Sequence, residues 1–203
     1  LMNKSFIIKI IVLCLVTIKV YAIEKVVLFG DSLMAGYGLS NEHHLSVVLK
    51  ESLIADGFNI EVINGSVSGS TSAGGLNRAE WTLSESAVDL MILGLGANDM
   101  LRGINPKETK KNLEQIIKIA QDKSIEVVLA GMVAPTSHGF KYKKNFDKIY
   151  PDLSKKYKLT LIPFLLEGVA LKPKYNLSDG MHPNEKGTII ISNTLKKAIL
   201  NKL

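Results

Sequence analysis

Five short apolar runs recur along the chain at nearly constant intervals: Lys25–Phe29, Ile60–Asn64, Leu90–Leu95, Glu126–Met132 and Leu159–Ile162. Their first residues lie 35, 30, 36 and 33 positions apart, which is the length of a strand–helix–strand unit. The runs are mostly apolar and do not alternate with polar residues. A strand with one wet face alternates, so these runs predict parallel strands covered on both faces.

Helical periodicity fills the gaps. Leu45, Val48, Leu49 and Leu53 make one stripe, Leu113, Ile116, Ile117 and Ala120 a second, and Ile191, Leu195, Ala198 and Ile199 a third. The second begins with Asn105 as cap and Pro106 at the first helical position. Its other face carries Lys107, Lys110, Lys111, Glu114 and Lys118, and is read as solvated. Strands alternating with helices predict an α/β fold: an open parallel sheet with helices on both faces. The chain has 203 residues, 46% of them apolar, and no linker-like stretch from residue 23 onward, so 23–203 is read as one domain.

Residues 1–22 differ. Lys4 precedes a run of Ile, Val and Leu that ends in Val20-Tyr21-Ala22, resembling a signal peptide with its cleavage site. Lys9 and Lys19 interrupt the run, which weakens a membrane-spanning reading, although an uncleaved anchor stays open. A periplasmic or secreted location is the expectation. Cys14 is the single cysteine, so cleavage after Ala22 leaves no disulfide, thiolate nucleophile or cysteine metal site. The leader holds three lysines and no acid, leaving +3 of the formal +6 for the rest. No later basic run exceeds two residues, so no nucleic-acid partner is expected.

In open parallel sheets, ligands bind beyond the carboxyl ends of the strands. Those ends are followed here by Gly30-Asp31-Ser32, by "NGSVSGSTSAGG" (64–75), by "GLGANDMLRG" (94–103), by "APTSHGF" (134–140) and by "SDGMHPNEKG" (178–187). A serine hydroxyl needs a base to become a nucleophile, and histidine titrates in the right range. Of four histidines, His43 and His44 sit side by side before a helix and His138 has no acidic neighbour. His182 follows Asp179 by three residues across Gly180, so a carboxylate there can fix its tautomer. The plainer reading of that stretch is a turn leading into a helix started by Pro183. A developing oxyanion needs N–H donors, for which Gly69, Asn98 and the Ser32 amide are candidates. The apolar residues of "FLLEGVALKP" and "MVAP" are read as core in preference to a groove wall.

The blocks "FGDSLMAGYG", "NGSVSGSTSAGGL", "LGANDMLRG" and "DGMHPNEKG" resemble the four blocks of the GDSL, or SGNH, hydrolases. The likeness is greatest to the bacterial thioesterase I, arylesterase and lysophospholipase branch, and it runs from Val26 to Leu203. It implies a three-layer, flavodoxin-like α/β/α sandwich on a five-stranded parallel sheet. It makes Ser32 the nucleophile, His182 the base, Asp179 its partner, and Gly69 and Asn98 oxyanion donors. It implies no cofactor and no metal. The implied substrates are short acyl or aryl esters, acyl thioesters and lysophospholipids, which are membrane lipids, and the expected state is a monomer. Three positions depart from the branch: Ala97 where a glycine is common, Ser70 where an Asp is common, and Leu45 where a Trp is common. A rival reading is a secreted ligand- or flavin-binding module without hydrolysis, with "SGSTSAGG" as a phosphate cradle. Against it, Asp99 replaces the third glycine of a G-x-G-x-x-G pattern and would repel a pyrophosphate.

Overall fold

The computed structural model describes residues 23–84 and 87–203. The leader assigned to residues 1–22 lies outside them. Five strands, β1 (Lys25–Gly30), β2 (Glu61–Asn64), β3 (Leu90–Gly94), β4 (Glu126–Ala130) and β5 (Thr160–Ile162), form one parallel sheet in the order β2-β1-β3-β4-β5. All five expected strands are present. Their ends shift by one or two residues where a run continues past the ladder, as at Leu95 and Gly131-Met132.

Eight α-helices accompany the sheet among the described residues: α1 (Ser32–Ala35), α2 (Leu45–Ala55), α3 (Ser72–Ser84), α4 (Ala97–Leu101), α5 (Pro106–Asp122), α6 (Phe140–Asp147), α7 (Ile149–Tyr157) and α8 (Glu185–Ile199). α2 packs with α8 on one face, and α3, α5 and α7 pack in turn on the other. This is the three-layer α/β/α sandwich. The central strands β1 and β3 are buried almost throughout, because helices cover both their faces. The stripes on α2, α5 and α8 face this core: Leu49, Leu53, Leu113, Ile116, Ile117, Leu195 and Ile199 are fully buried. Asn105 caps α5 by accepting from Lys107 N–H at 3.0 Å, as its sequence predicts.

The strand order reverses at β1. The chain leaves β1 toward β2 on one side and returns to β3 on the other, and this opens a crevice at the carboxyl ends of β1 and β3. β1 and β3 end level with each other, Gly30 opposite Gly94.

Candidate active site

Ser32 stands at the crevice because β1 and β3 each end in a glycine. A Cβ on Gly30 would lie 2.6 Å from the Met34 sulfur and 2.9 Å from the Gly94 carbonyl. Without side chains at 30 and 94, α1 folds directly onto the strand ends and buries Met34. Asp31 caps α1 by accepting from Leu33 N–H at 3.0 Å. Ser32 is therefore the first residue of α1, with a backbone N–H that has no partner within the helix.

His182 comes from the loop before α8. Leu177 N–H donates to the His182 carbonyl at 2.7 Å and Gly180 N–H to the Leu177 carbonyl at 2.9 Å. Asn184 caps α8 by accepting from Gly187 N–H at 3.1 Å, so the helix starts at Glu185 and not at Pro183. Pro183 instead pairs with Asn176 in an isolated antiparallel bridge, which extends the loop toward the crevice.

The loop brings three side chains into one row. His182 Nε2 lies 2.9 Å from Ser32 Oγ, and His182 Nδ1 lies 2.7 Å from Asp179 Oδ2. Asp179 Oδ1 also accepts from His182 N–H at 3.0 Å and from Met181 N–H at 2.8 Å. The His182 backbone bond, then the His182 ring and the Met181 amide, hold the Asp179 carboxyl down to about 2. A carboxylate only accepts, so Nδ1 carries the ring proton and Nε2 is left to accept from the serine hydroxyl. The Tyr37 ring covers the imidazole, with centroids 4.3 Å apart.

Gly69 and Asn98 stand on the two neighbouring loops. Gly69 has φ +77° in a turn closed by Ser70 N–H donating to the Val67 carbonyl at 3.1 Å, a backbone that favours glycine. Its carbonyl accepts from Arg102 Nη2 at 3.0 Å, and its own N–H finds no acceptor among the described residues. Asn98 is the second residue of α4, and its Nδ2 donates to Asp31 Oδ2 at 3.3 Å, which leaves its other amide hydrogen unused. Ser32, Gly69, Asn98, Asp179 and His182 all line one cleft of about 1030 Å³. Its further wall is apolar and comes from α4 and the loops after β4 and β5.

Sequence reasoning misplaced part of that wall. Leu165 and Val169 are core, as read, but Phe164, Leu166, Ala170 and Leu171 line the cleft, as do Met132 and Val133. The chain after β5 coils into consecutive turns, so neighbouring residues divide between core and cleft. Among the three departures, the Ala97 methyl is buried at the cleft wall. Leu45 is buried behind Ser32, lining a small pocket with Leu33 and Pro183. The Ser70 hydroxyl bonds locally to the Thr71 carbonyl at 3.3 Å.

The remaining histidines stand apart from the row. His43 lies 3.3 Å from Glu185, His44 Nε2 lies 3.3 Å from the Leu39 carbonyl, and the His138 ring lies tilted against Tyr142 with centroids 5.2 Å apart. Among the described residues no three His, Cys, Asp or Glu side chains gather to hold a metal ion.

Two buried carboxylates carry weight that sequence reasoning did not assign. Asp31 joins α1 to Asn98. Asp99 is fully buried and accepts from Ser72 N–H at 2.7 Å, Ser72 Oγ at 2.5 Å and Thr109 Oγ1 at 3.1 Å. The amide at the start of α3, where a cradled phosphate would sit, is thus already occupied by Asp99. Adjacency to two site residues, in Asp31-Ser32 and Asn98-Asp99, is the only trace they leave in the sequence, and ordinary turn acids share it.

Known proteins resemble this chain along most of its length. The model of the GDSL-like lipase/acylhydrolase family matches residues 28–188. An arylesterase of Vibrio mimicus is 36% identical over 182 residues, covering 90% of this chain and 91% of that one. The Escherichia coli K12 protein named thioesterase 1/protease 1/lysophospholipase L1 is 33% identical over 187 residues, covering 92% and 88%. The crystal structure of AlinE4, an SGNH-hydrolase family esterase, superposes with a TM-score of 0.75 at 38% identity, covering 90% of this chain and 98% of that one. The chain belongs to the GDSL-like lipase/acylhydrolase family and is a carboxylic ester hydrolase.

Proposed function

We propose that the chain is an exported serine esterase that acts on acyl or aryl esters, lysophospholipids and acyl thioesters through an acyl-Ser32 intermediate. One observation carries this reading: the Ser32–His182–Asp179 row opens onto an apolar cleft. Ser32 Oγ attacks the substrate carbonyl carbon and its proton passes to His182 Nε2. Asp179, ionised, stabilises the imidazolium that results. The negative charge on the carbonyl oxygen meets the N–H groups of Ser32 and Gly69 and the free amide hydrogen of Asn98. Collapse breaks the bond to the leaving alcohol or thiol, which takes the proton from His182. Water then gives a proton to His182 and attacks the acyl carbon. The second collapse releases the acid and returns the proton to Ser32. The names of the two relatives above support esters, thioesters and lysophospholipids as substrate classes. Export is supported by Lys4, the apolar run and the Val20-Tyr21-Ala22 ending.

The test is a series of p-nitrophenyl esters, with acyl-CoA and a lysophospholipid alongside, on wild type and Ser32→Ala. Turnover falls by about 10⁴-fold or more in the variant, and organophosphonate labelling is lost with it. Labelling that survives in Ser32→Ala assigns the nucleophile to another residue.

A further inference from the structure

The mouth of the cleft carries apolar surface that no described residue covers. Tyr37, Leu101, Val133, Leu171 and Met181 line it, yet each keeps between 42% and 92% of its surface exposed. They come from five separate segments: the turn after α1, the end of α4, the loops after β4 and β5, and the turn before His182. Single exposed apolar side chains are ordinary, but a ring of them around an apolar cleft marks an interaction surface.

Leu171 is the extreme member. It is 92% exposed and has φ +60°, a conformation that a bulky L residue holds only under strain. Its turn is tied down on both sides, by Asn176 Nδ2 donating to the Val169 carbonyl at 2.9 Å and to the Lys172 carbonyl at 2.8 Å. The fold holds this leucine out in water against both hydration and backbone preference.

The charges around the ring identify what it meets. Arg102 follows Leu101, and Lys172 follows Leu171 with Lys174 two positions on. All three are exposed, and none forms an ion pair among the described residues. The acids lining the mouth are Glu167 and Asp179, and Asp179 is engaged by His182.

We propose that this mouth is a docking surface for a bilayer containing anionic lipid. The apolar tips enter the headgroup boundary and the flanking cations meet lipid phosphates. Docked in this way, the cleft receives an acyl chain directly from the bilayer. The proposal gives the lipid-substrate reading its route, and it is read by a signal independent of hydrolysis.

Trp81 is the chain's single tryptophan, so Leu171→Trp in a Trp81→Phe background places the only indole at the tip. The expected result, with the full chain, is a blue shift on phosphatidylcholine vesicles containing phosphatidylglycerol, and quenching when the acyl chains are brominated. Adding Lys172→Glu and Lys174→Glu raises the vesicle concentration for a half-maximal shift by about 30-fold or more. The same lysine changes in the wild-type background leave hydrolysis of soluble p-nitrophenyl acetate unchanged. No shift on anionic vesicles, or an equal shift on pure phosphatidylcholine, overturns the proposal. A shift that appears without vesicles and grows with protein concentration also overturns it and assigns the patch to a second copy of the chain. Loss of p-nitrophenyl acetate hydrolysis in Ser32→Ala is scored separately, so the esterase reading stands or falls on its own.

Discussion

Asp31 sits between β1 and α1 with none of its surface exposed, and burial pushes its carboxyl up to about 6, against the Leu33 and Asn98 bonds that pull it down. Raised from 3.8, the group binds its proton more tightly in the folded chain than in the unfolded one. Its contribution to stability is full below the unfolded value and is lost as pH rises through about 6. A shift of that size corresponds to about 3 kcal/mol. The ionised form is nevertheless the better acceptor for Asn98 Nδ2, so stability at this residue opposes donor placement in the site. Asp31→Asn keeps a good helix cap but turns a donor toward the Asn98 amide. Two results are expected. The stability of the variant relative to wild type rises by about 2.5 kcal/mol between pH 4 and pH 8, measured by urea unfolding at each pH. Its kcat drops by about 10²–10³, the scale of one lost oxyanion donor, because Asn98 turns away. A flat stability difference across that range removes Asp31 as the titrating group.

At the scale of elements, Asp99 ties the start of α3 to α4 and α5. It follows Asn98 directly, and Ser72, which it holds, follows Gly69 by three residues. The two loops that carry the proposed oxyanion donors are thus joined through one buried carboxylate, and Arg102 spans them again through the Gly69 carbonyl. Asp99→Ala leaves the Ser72 amide, the Ser72 hydroxyl and the Thr109 hydroxyl without their acceptor. The expected destabilisation is about 3–5 kcal/mol by chemical denaturation. A change under about 1 kcal/mol would show that these donors find other partners. This network also explains what the sequence hid. The strands and the stripes of α2, α5 and α8 were legible because burial on a face or on both faces leaves a periodic apolar record. The helix α3, SAGGLNRAEWTLS, leaves no such record: Gly74 and Gly75 disfavour a helix, and few of its side chains are apolar. Tertiary contacts decide it instead. Gly75 packs so closely on Leu95 that a Cβ there would collide, and Ser72 is held from across the crevice. Ser32, Gly69, Asn98, Asp179 and His182 were legible as types placed at strand ends. Asp31 and Asp99 were not, because only their burial distinguishes them from ordinary turn acids.

At the scale of the whole molecule, the sheet fixes the reacting groups while the chain beyond β4 and β5 shapes what they meet. Ser32 and Asn98 follow adjacent central strands that end level, so their separation is set by the ladder. The cleft wall is supplied by loops that contribute nothing to the Ser32–His182–Asp179 row, among them Met132, Val133, Phe164 and Leu166. Acyl-chain preference and chemical competence are therefore separable in this fold. Each methylene moved from water onto that wall contributes about 0.8 kcal/mol, or roughly fourfold in kcat/KM. Along a p-nitrophenyl series from acetate upward, kcat/KM is expected to climb on about that slope, then level off once the chain passes the mouth at Leu171. Phe164→Ala and Leu166→Ala shorten the wall without touching the hydrogen-bonded row. Each is expected to lower kcat/KM for octanoate by a larger factor than for acetate, so that the slope against chain length flattens. Equal losses for the two esters would mean that these residues act on the row itself, and that the acyl chain lies along the Tyr37 and Met181 side of the cleft instead.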